Sequence, residues 1–247
     1  MKTFNFIVLL MACVGFSSAQ EPIFKGRVQS HIGDTVEFTF RSTEEAVYEV
    51  DFGNGSRMPV SVDSNLSRIK GAISGEELKV YGDASLLWTF GLWSLNSVGL
   101  RSVDVSAMTA LTCLSLDKGE FSSIDLSQNV RLDQLTLGWN PNLASVDVSM
   151  LPELYLLNLS DMALKKVDLS QNKKLKILYI RDNPLEELDL RENPELWILG
   201  CSNCGLTELD LSQNPKLTEV VCNGNELTQL DVSAAKDLMY LDCKNNY

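Results

Sequence analysis

The chain has 247 residues, 45% of them hydrophobic, with 33 Asp and Glu against 21 Lys and Arg and a net charge of −12. That acidity excludes nucleic acid, or an anionic membrane surface, as the main partner. A single histidine, His31, leaves no base for a Ser or Cys triad, and neither G-x-G-x-x-G nor a P-loop is present, so the expectation is no enzyme and no cofactor.

Residues Met1 to Ala19 read as an export signal: Lys2, an apolar run from Phe4 to Phe16 interrupted by Asn5, then Ser17, Ser18 and Ala19 before Gln20. The 13-residue run is shorter than the ~20 residues that span a bilayer as a helix. Cleavage after Ala19 is predicted, giving an exported chain, secreted or at the cell surface, with no transmembrane segment. The second reading is a lipoprotein anchored through Cys13, because Leu10, Met11 and Ala12 precede it as in a lipobox.

Residues 20–86 have no period and read as a small β domain that covers the first repeat. Val36, Phe38 and Phe40 alternate with polar neighbours. Tyr48, Val50 and Phe52 do so before Gly53-Asn54-Gly55, and Met58, Val60 and Val62 resume the alternation, which predicts a hairpin. The stretch Asp51 to Gly55 is similar to the acidic, glycine-containing turn of PKD-like β-sandwich modules.

From residue 87 to 247 a period takes over. Asp104, Asp125, Asp147, Asp168, Asp189, Asp210 and Asp231 recur in steps of 21 residues, with one step of 22 where Asn142 is inserted. Each period nests two half-units, best seen over Leu206 to Leu227. One is L-x-x-L-D-L-S-x-N, carried by Leu206, Leu209, Asp210, Leu211, Ser212 and Asn214; the other is L-x-x-L-x-[L/C]-x-x-[N/C]-x-L, carried by Leu217, Val220, Cys222, Asn225 and Leu227. The second half-unit can be followed back to Phe90, Trp93, Leu95, Val98 and Leu100.

These residues form the leucine-rich-repeat pattern, and the nesting resembles the secreted bacterial subclass with IRREKO repeats. The resemblance implies a β-rich solenoid: a right-handed coil of short parallel strands, capped by the N-terminal antiparallel β domain. It also implies recognition of a protein partner on a host or bacterial surface. Leucines should stack from coil to coil, and Asn140, Asn183, Asn225 and Asn246 should serve backbone groups at a turn. Met162 cannot, so its coil is expected to be locally weaker.

Two patterns invite a metal, and the repeat accounts for both. Cys201, Cys222 and Cys243 fall at inward positions 21 residues apart, and Cys204 sits at an asparagine post. An adjacent pair stays open to cross-linking in an oxidising compartment. The aspartates offer one carboxylate per coil where calcium needs several in one loop, so they read as turn caps. No metal site is expected.

The variable positions around the LDLS half are polar, whereas the other half-unit collects aromatic and aliphatic residues. Tyr155, Ile177, Tyr179, Trp197, Ile198 and Tyr240 are the candidate binding residues, an exposed stripe rimmed by Asp133, Lys176, Arg181, Glu219 and Asp242. Protein–protein interaction is the leading function. Carbohydrate capture, with Trp197 and Tyr179 stacking on sugar rings, and a self-assembling scaffold that associates through the last coil near Tyr247 are the alternatives.

Overall fold

The computed structural model describes residues 20–29, 32–94 and 99–247; the export signal, Cys13 and His31 lie outside them. Eight strands come first: β1 (Phe24–Val28), β2 (Thr35–Ser42), β3 (Ala46–Asp51), β4 (Arg57–Val62), β5 (Ser67–Ala72), β6 (Glu77–Tyr81), β7 (Leu87–Ser94) and β8 (Leu100–Asp104). Seven short strands follow, one per coil: β9 (Cys113–Ser115), β10 (Gln134–Thr136), β11 (Leu156–Asn158), β12 (Ile177–Tyr179), β13 (Ile198–Gly200), β14 (Glu219–Val221) and β15 (Tyr240–Asp242). No helix occurs among the described residues, and so none long and apolar enough to cross a membrane.

The strands make two sheets. One is antiparallel, in the order β4-β3-β6-β1-β8; the other runs β5-β2-β7 antiparallel and continues through β9 to β15 in parallel. The predicted hairpin is β3–β4, with Asp51 opposite Arg57. Its turn is closed by the Asp51 carboxylate, which accepts from Gly53 N–H at 2.8 Å and Gly55 N–H at 3.0 Å. Gly53 has φ +109°, and a Cβ on Gly75 would lie 2.1 Å from the Gly53 carbonyl oxygen, so two backbones touch where no side chain fits. Val36, Phe38 and Phe40 point inward and are fully buried. Phe38 packs its ring against those of Phe24, Phe40, Phe52 and Phe90 at centroid distances of 5.9 to 6.1 Å.

Strand β7 joins both regions, and its register corrects one reading of the first coil. Phe90 pairs with Leu114 and is therefore the second inward residue of its coil, with Leu87 and Leu92 on either side, all buried. Phe90 to Leu114 is a step of 24 residues. The extra residues fall after Leu92, which is why counting back from Leu100 in steps of 21 misplaces Phe90. Of the residues in that reading, Leu95 and Val98 lie outside the described chain, as does the side chain of Trp93.

In the coils, the leucines at the first, fourth and sixth positions form a continuous core: Leu154, Leu157 and Leu159 in one coil, then Leu175, Leu178 and Ile180 in the next, none measurably exposed. Cys201 and Cys222 occupy the same inward position and are equally buried. In the last described coil the corresponding residues Leu241 and Cys243 are exposed.

Past β8, the LDLS half-unit forms no strand, although its leucines alternate with polar residues as in an extended segment. The aspartate is the cause. Each of Asp104, Asp125, Asp147, Asp168, Asp210 and Asp231 accepts from the backbone N–H of the serine two residues on, at 2.8 to 3.0 Å, and Asp189 does the same with Arg191. An Asx turn there takes the chain away from an extended course. The structure therefore agrees with turn capping.

These bonds hold the seven carboxyls below the usual aspartate range: the serine hydroxyl and backbone N–H act on six of them, and Arg191 takes Asp189 down to about 2. A carboxyl lowered in the folded state contributes stability above its unfolded value and loses it as pH falls through the folded one. Burial raises Asp117, Asp133 and Asp161 instead, and these three favour the fold as they protonate. Glu77, Asp83 and Glu195 are lowered in the same way, so with ten against three the melting temperature is expected to hold from pH 7 to 5 and fall steadily below 3.8, the ordinary aspartate value. Melts at pH 5, 4, 3 and 2 check this, and Asp189→Asn should flatten the lower part of the curve.

Two asparagine ladders run through the coils. In the expected one, the Asn183 amide donates to the carbonyls of Leu159 and Ile180, and Asn225 and Asn246 repeat the pattern two and three coils on. Cys204 fills its post by directing Sγ at the Ile180 carbonyl, 3.2 Å away. Met162 is buried and makes no such bond; the bond that Asn183 of the next coil accepts from Leu164 N–H is the one that Asn225 and Asn246 accept from Leu206 and Leu227, so it does not replace what Met162 lacks. The second ladder, Asn129, Asn172, Asn193 and Asn214, is fully buried, each amide donating to two carbonyls.

Candidate functional site

Side chains alternate across a strand, so each three-residue strand has one inward residue between two outward ones. Pairing therefore lines up two outward columns. The first runs Cys113, Gln134, Leu156, Ile177, Ile198, Glu219, Tyr240; the second runs Ser115, Thr136, Asn158, Tyr179, Gly200, Val221, Asp242. Among the described residues no second layer covers this face.

Of the six candidate residues, Ile177 and Ile198 are direct neighbours and continue Leu156 into an aliphatic ribbon, each half-buried. Tyr240 shares their column but stands two coils from Ile198, across Glu219, and is 52% exposed. Tyr155 and Trp197 lie one residue before their strands, where their N–H groups bond to Asp133 and Lys176 carbonyls, so they form the entry edge of the ribbon. Tyr179 is on the opposite, exit edge. Trp197, 47% exposed, and Tyr179, 38% exposed, sit on opposite edges of adjacent strands. Three residues along a strand separate them, about 10 Å.

A residue the pattern did not single out is Trp139. One repeat post has positive φ in every coil, at Lys118, Trp139, Asp161, Asp182, Asn203, Gly224 and Asn245, and Gly205 adds a second such residue in one coil. Asn, Asp and Gly tolerate this conformation, whereas Trp is unusual there. The only signal in the sequence is a bulky residue at a post its repeats fill with small polar ones. The Trp139 ring lies between two cations, Arg181 at 5.6 Å and Lys118 at 5.8 Å from its centroid. Beside it, Gly200 leaves room for the Tyr179 ring, since a Cβ there would come within 2.9 Å of Tyr179 Cδ1. Trp139, Tyr179 and Arg181 thus border a recess of about 420 Å³ whose remaining lining includes Asn158, Ser202 and Asn223.

Between Glu153 and Lys216 the polar side carries ion pairs that join neighbouring coils, such as Lys174 with Glu153 at 2.6 Å and Lys216 with Glu195 at 2.7 Å. Their side chains are 40% exposed or more, so solvent screens each pair and neither is a main source of stability. Among the described residues no group of three or more His, Cys, Asp or Glu side chains is arranged to hold a metal ion. Burial raises the Cys204 and Cys222 thiols to about 11 and the Cys201 thiol well above its ordinary value. No disulfide joins Cys113, Cys201, Cys204, Cys222 or Cys243.

Among solved structures the chain is similar to the functional domain of InlJ from Listeria monocytogenes, at 28% identity over 70% of this chain and 43% of that one, with a TM-score of 0.53. It also resembles internalin C2 of Listeria monocytogenes strain 4b F2365, at 22% identity, 63% and 71% coverage and a TM-score of 0.58. A leucine-rich-repeat protein of Leptospira interrogans matches at 22% identity, 62% and 48% coverage and a TM-score of 0.50. The fold is that of the leucine-rich-repeat proteins. The chain spans less than half the length of the InlJ domain it matches. No protein-family model matches the chain, and no curated protein does. The InlJ domain is described as including a cysteine ladder. In this leucine-rich-repeat chain Cys201, Cys222 and Cys243 stand at the same inward position in successive coils, two of them within its core.

Proposed function

We propose that the protein is a non-catalytic recognition module, exported to the cell surface or beyond, that captures a protein partner on the outward face of β11 to β15. The observation that carries this is the uncovered ribbon of Leu156, Ile177 and Ile198 with Trp197 exposed at one edge and Tyr179 at the other. Half-buried aliphatics between exposed aromatics suit a protein surface, whose hot spots concentrate in Trp and Tyr with near-neutral contacts around them. The general use of leucine-rich-repeat folds as interaction modules, and the likeness to bacterial members, support the reading.

The test is capture by mature Gln20 to Tyr247 from host and bacterial surface extracts, against Tyr179→Ser combined with Trp197→Ser. Both side chains are exposed, so the melting temperature should stay within a few degrees. Losing one hot spot costs about 2 kcal/mol, or ~30-fold in affinity. Capture that survives in the double variant would sink the assignment to this face, and competition by soluble glycans would favour a carbohydrate ligand.

A further inference from the structure

The face that carries the aliphatic ribbon continues without a break onto β7, β2 and β5. Thr39, Gly91 and Ser115 stand side by side on β2, β7 and β9, and these small residues leave a recess of about 530 Å³ on the outward side. Three cations surround it. On one wall Glu37, itself buried, holds Lys70 at 2.8 Å and Arg68 at 3.4 Å, which fixes both over the sheet while leaving them more than half exposed. On the other, the Arg41 guanidinium lies 5.5 Å from the centroid of the Trp88 ring.

Arg41 differs from its two neighbours. Among the described residues it has no carboxylate partner, and its Nε is buried without an acceptor. Glu37 is the one carboxylate in the lining, and it is engaged with Arg68 and Lys70. Asp133, near Cys113, does not line the recess. The result is a positive spot with apolar walls on a chain of net charge −12. A guanidinium held against an indole face keeps its planar fork aimed, and that fork matches the two oxygens of a carboxylate.

We propose that this recess is a carboxylate site, in which Arg41, with Arg68 beside it, takes an Asp or Glu side chain of the protein partner whose apolar part covers Ile177 and Ile198. This rests on the protein-recognition reading above. The recess lies five strand spacings from Ile177 in the sheet order, about 24 Å, a span one standard-sized interface covers. An acidic group landing here would also orient the partner along the sheet.

The experiment titrates isotope-labelled mature protein with the peptide acetyl-Gly-Glu-Gly-amide, its neutral counterpart acetyl-Gly-Gln-Gly-amide, and inorganic phosphate. Saturable shifts are expected at the Gly91 and Ser115 amides and the Trp88 indole with the Glu peptide alone. Arg41→Gln should weaken them at least tenfold, Arg41→Lys should fall between, and Ile177→Ser with Ile198→Ser should leave them unchanged. Should Arg41→Gln fail to fold, Arg68→Gln and the Gln peptide carry the comparison. No saturable shift, equal response to the two peptides, or tighter binding of phosphate than of the Glu peptide would each overturn the carboxylate assignment. If it falls while the Tyr179 and Trp197 variant still loses capture, the recognition reading stands; if the peptide binds and that variant keeps its capture, only the ribbon's role is lost.

Discussion

Asn225→Ala is expected to destabilise the protein by about 3–5 kcal/mol, because removal strands three buried backbone groups and leaves the Cys222 carbonyl with Asn246 alone, each orphaned group being worth about 1–3 kcal/mol and not fully additive. The Asn225 amide donates to the Cys201 and Cys222 carbonyls, both at 2.9 Å, while its oxygen accepts from Cys204 N–H at 2.9 Å and Leu206 N–H at 3.1 Å. The side chain therefore ties two successive coils together at their exit turn. Denaturant midpoints read the effect. Asn193→Ala provides the comparison: it also loses two amide–carbonyl bonds, but its oxygen has no donor, so its cost should be roughly half. Equal losses, or a loss below about 1 kcal/mol at Asn225, would show that the oxygen's two bonds contribute nothing.

Phe38→Ala should cost about 3–5 kcal/mol as a buried aromatic-to-alanine change, and its consequence reaches further than the local cavity. Phe38 touches Phe90, which lies on the strand shared by the antiparallel region and the first coil. Coils interact only with their neighbours, so weakening that junction lets the two parts unfold separately. Wild-type unfolding is expected to give one transition. In the variant, fluorescence of Trp88 on β7 should change at a lower denaturant concentration than that of Trp197, one residue before β13. Proteins keeping only Trp88 or only Trp197 of the four tryptophans make the probes separable, and coincident transitions would contradict the junction's role.

Much of this architecture is legible in the residues. A period of 21 with leucine at fixed posts specifies stacked coils because no coil can bury its apolar residues alone, and the burial of Leu157, Leu178 and Cys222 follows from the period. Asparagine after the strand likewise announces its own bonds, since few side chains offer both a donor and an acceptor at backbone height. The fully buried second ladder was visible only as the last letter of the LDLS unit. Its role depends on carbonyls 21 and 24 residues earlier, which come within reach when the coils stack.

The candidate site was legible in composition and not in arrangement. Ile177 and Ile198 are adjacent because they occupy one outward column, whereas Trp197 and Tyr179, close in the repeat count, are sent to opposite edges by their offset along the strand. Trp139 and Arg181, 42 residues apart, meet through a ring that reaches past an intervening coil, a contact no repeat alignment encodes. Arg41 and Trp88 meet because β2 joins the sheet beside β7.

By itself, then, the sequence determined the repeat, its core and its turn chemistry, because these arise from contacts that recur at a fixed interval and are therefore written once per coil. Only the tertiary structure decided where the antiparallel strands attach, that the LDLS half turns and does not extend, and which exposed side chains share a face. Those outcomes depend on single, non-repeating encounters between distant residues, on insertions such as the one after Leu92, and on an Asx turn overriding an apolar alternation.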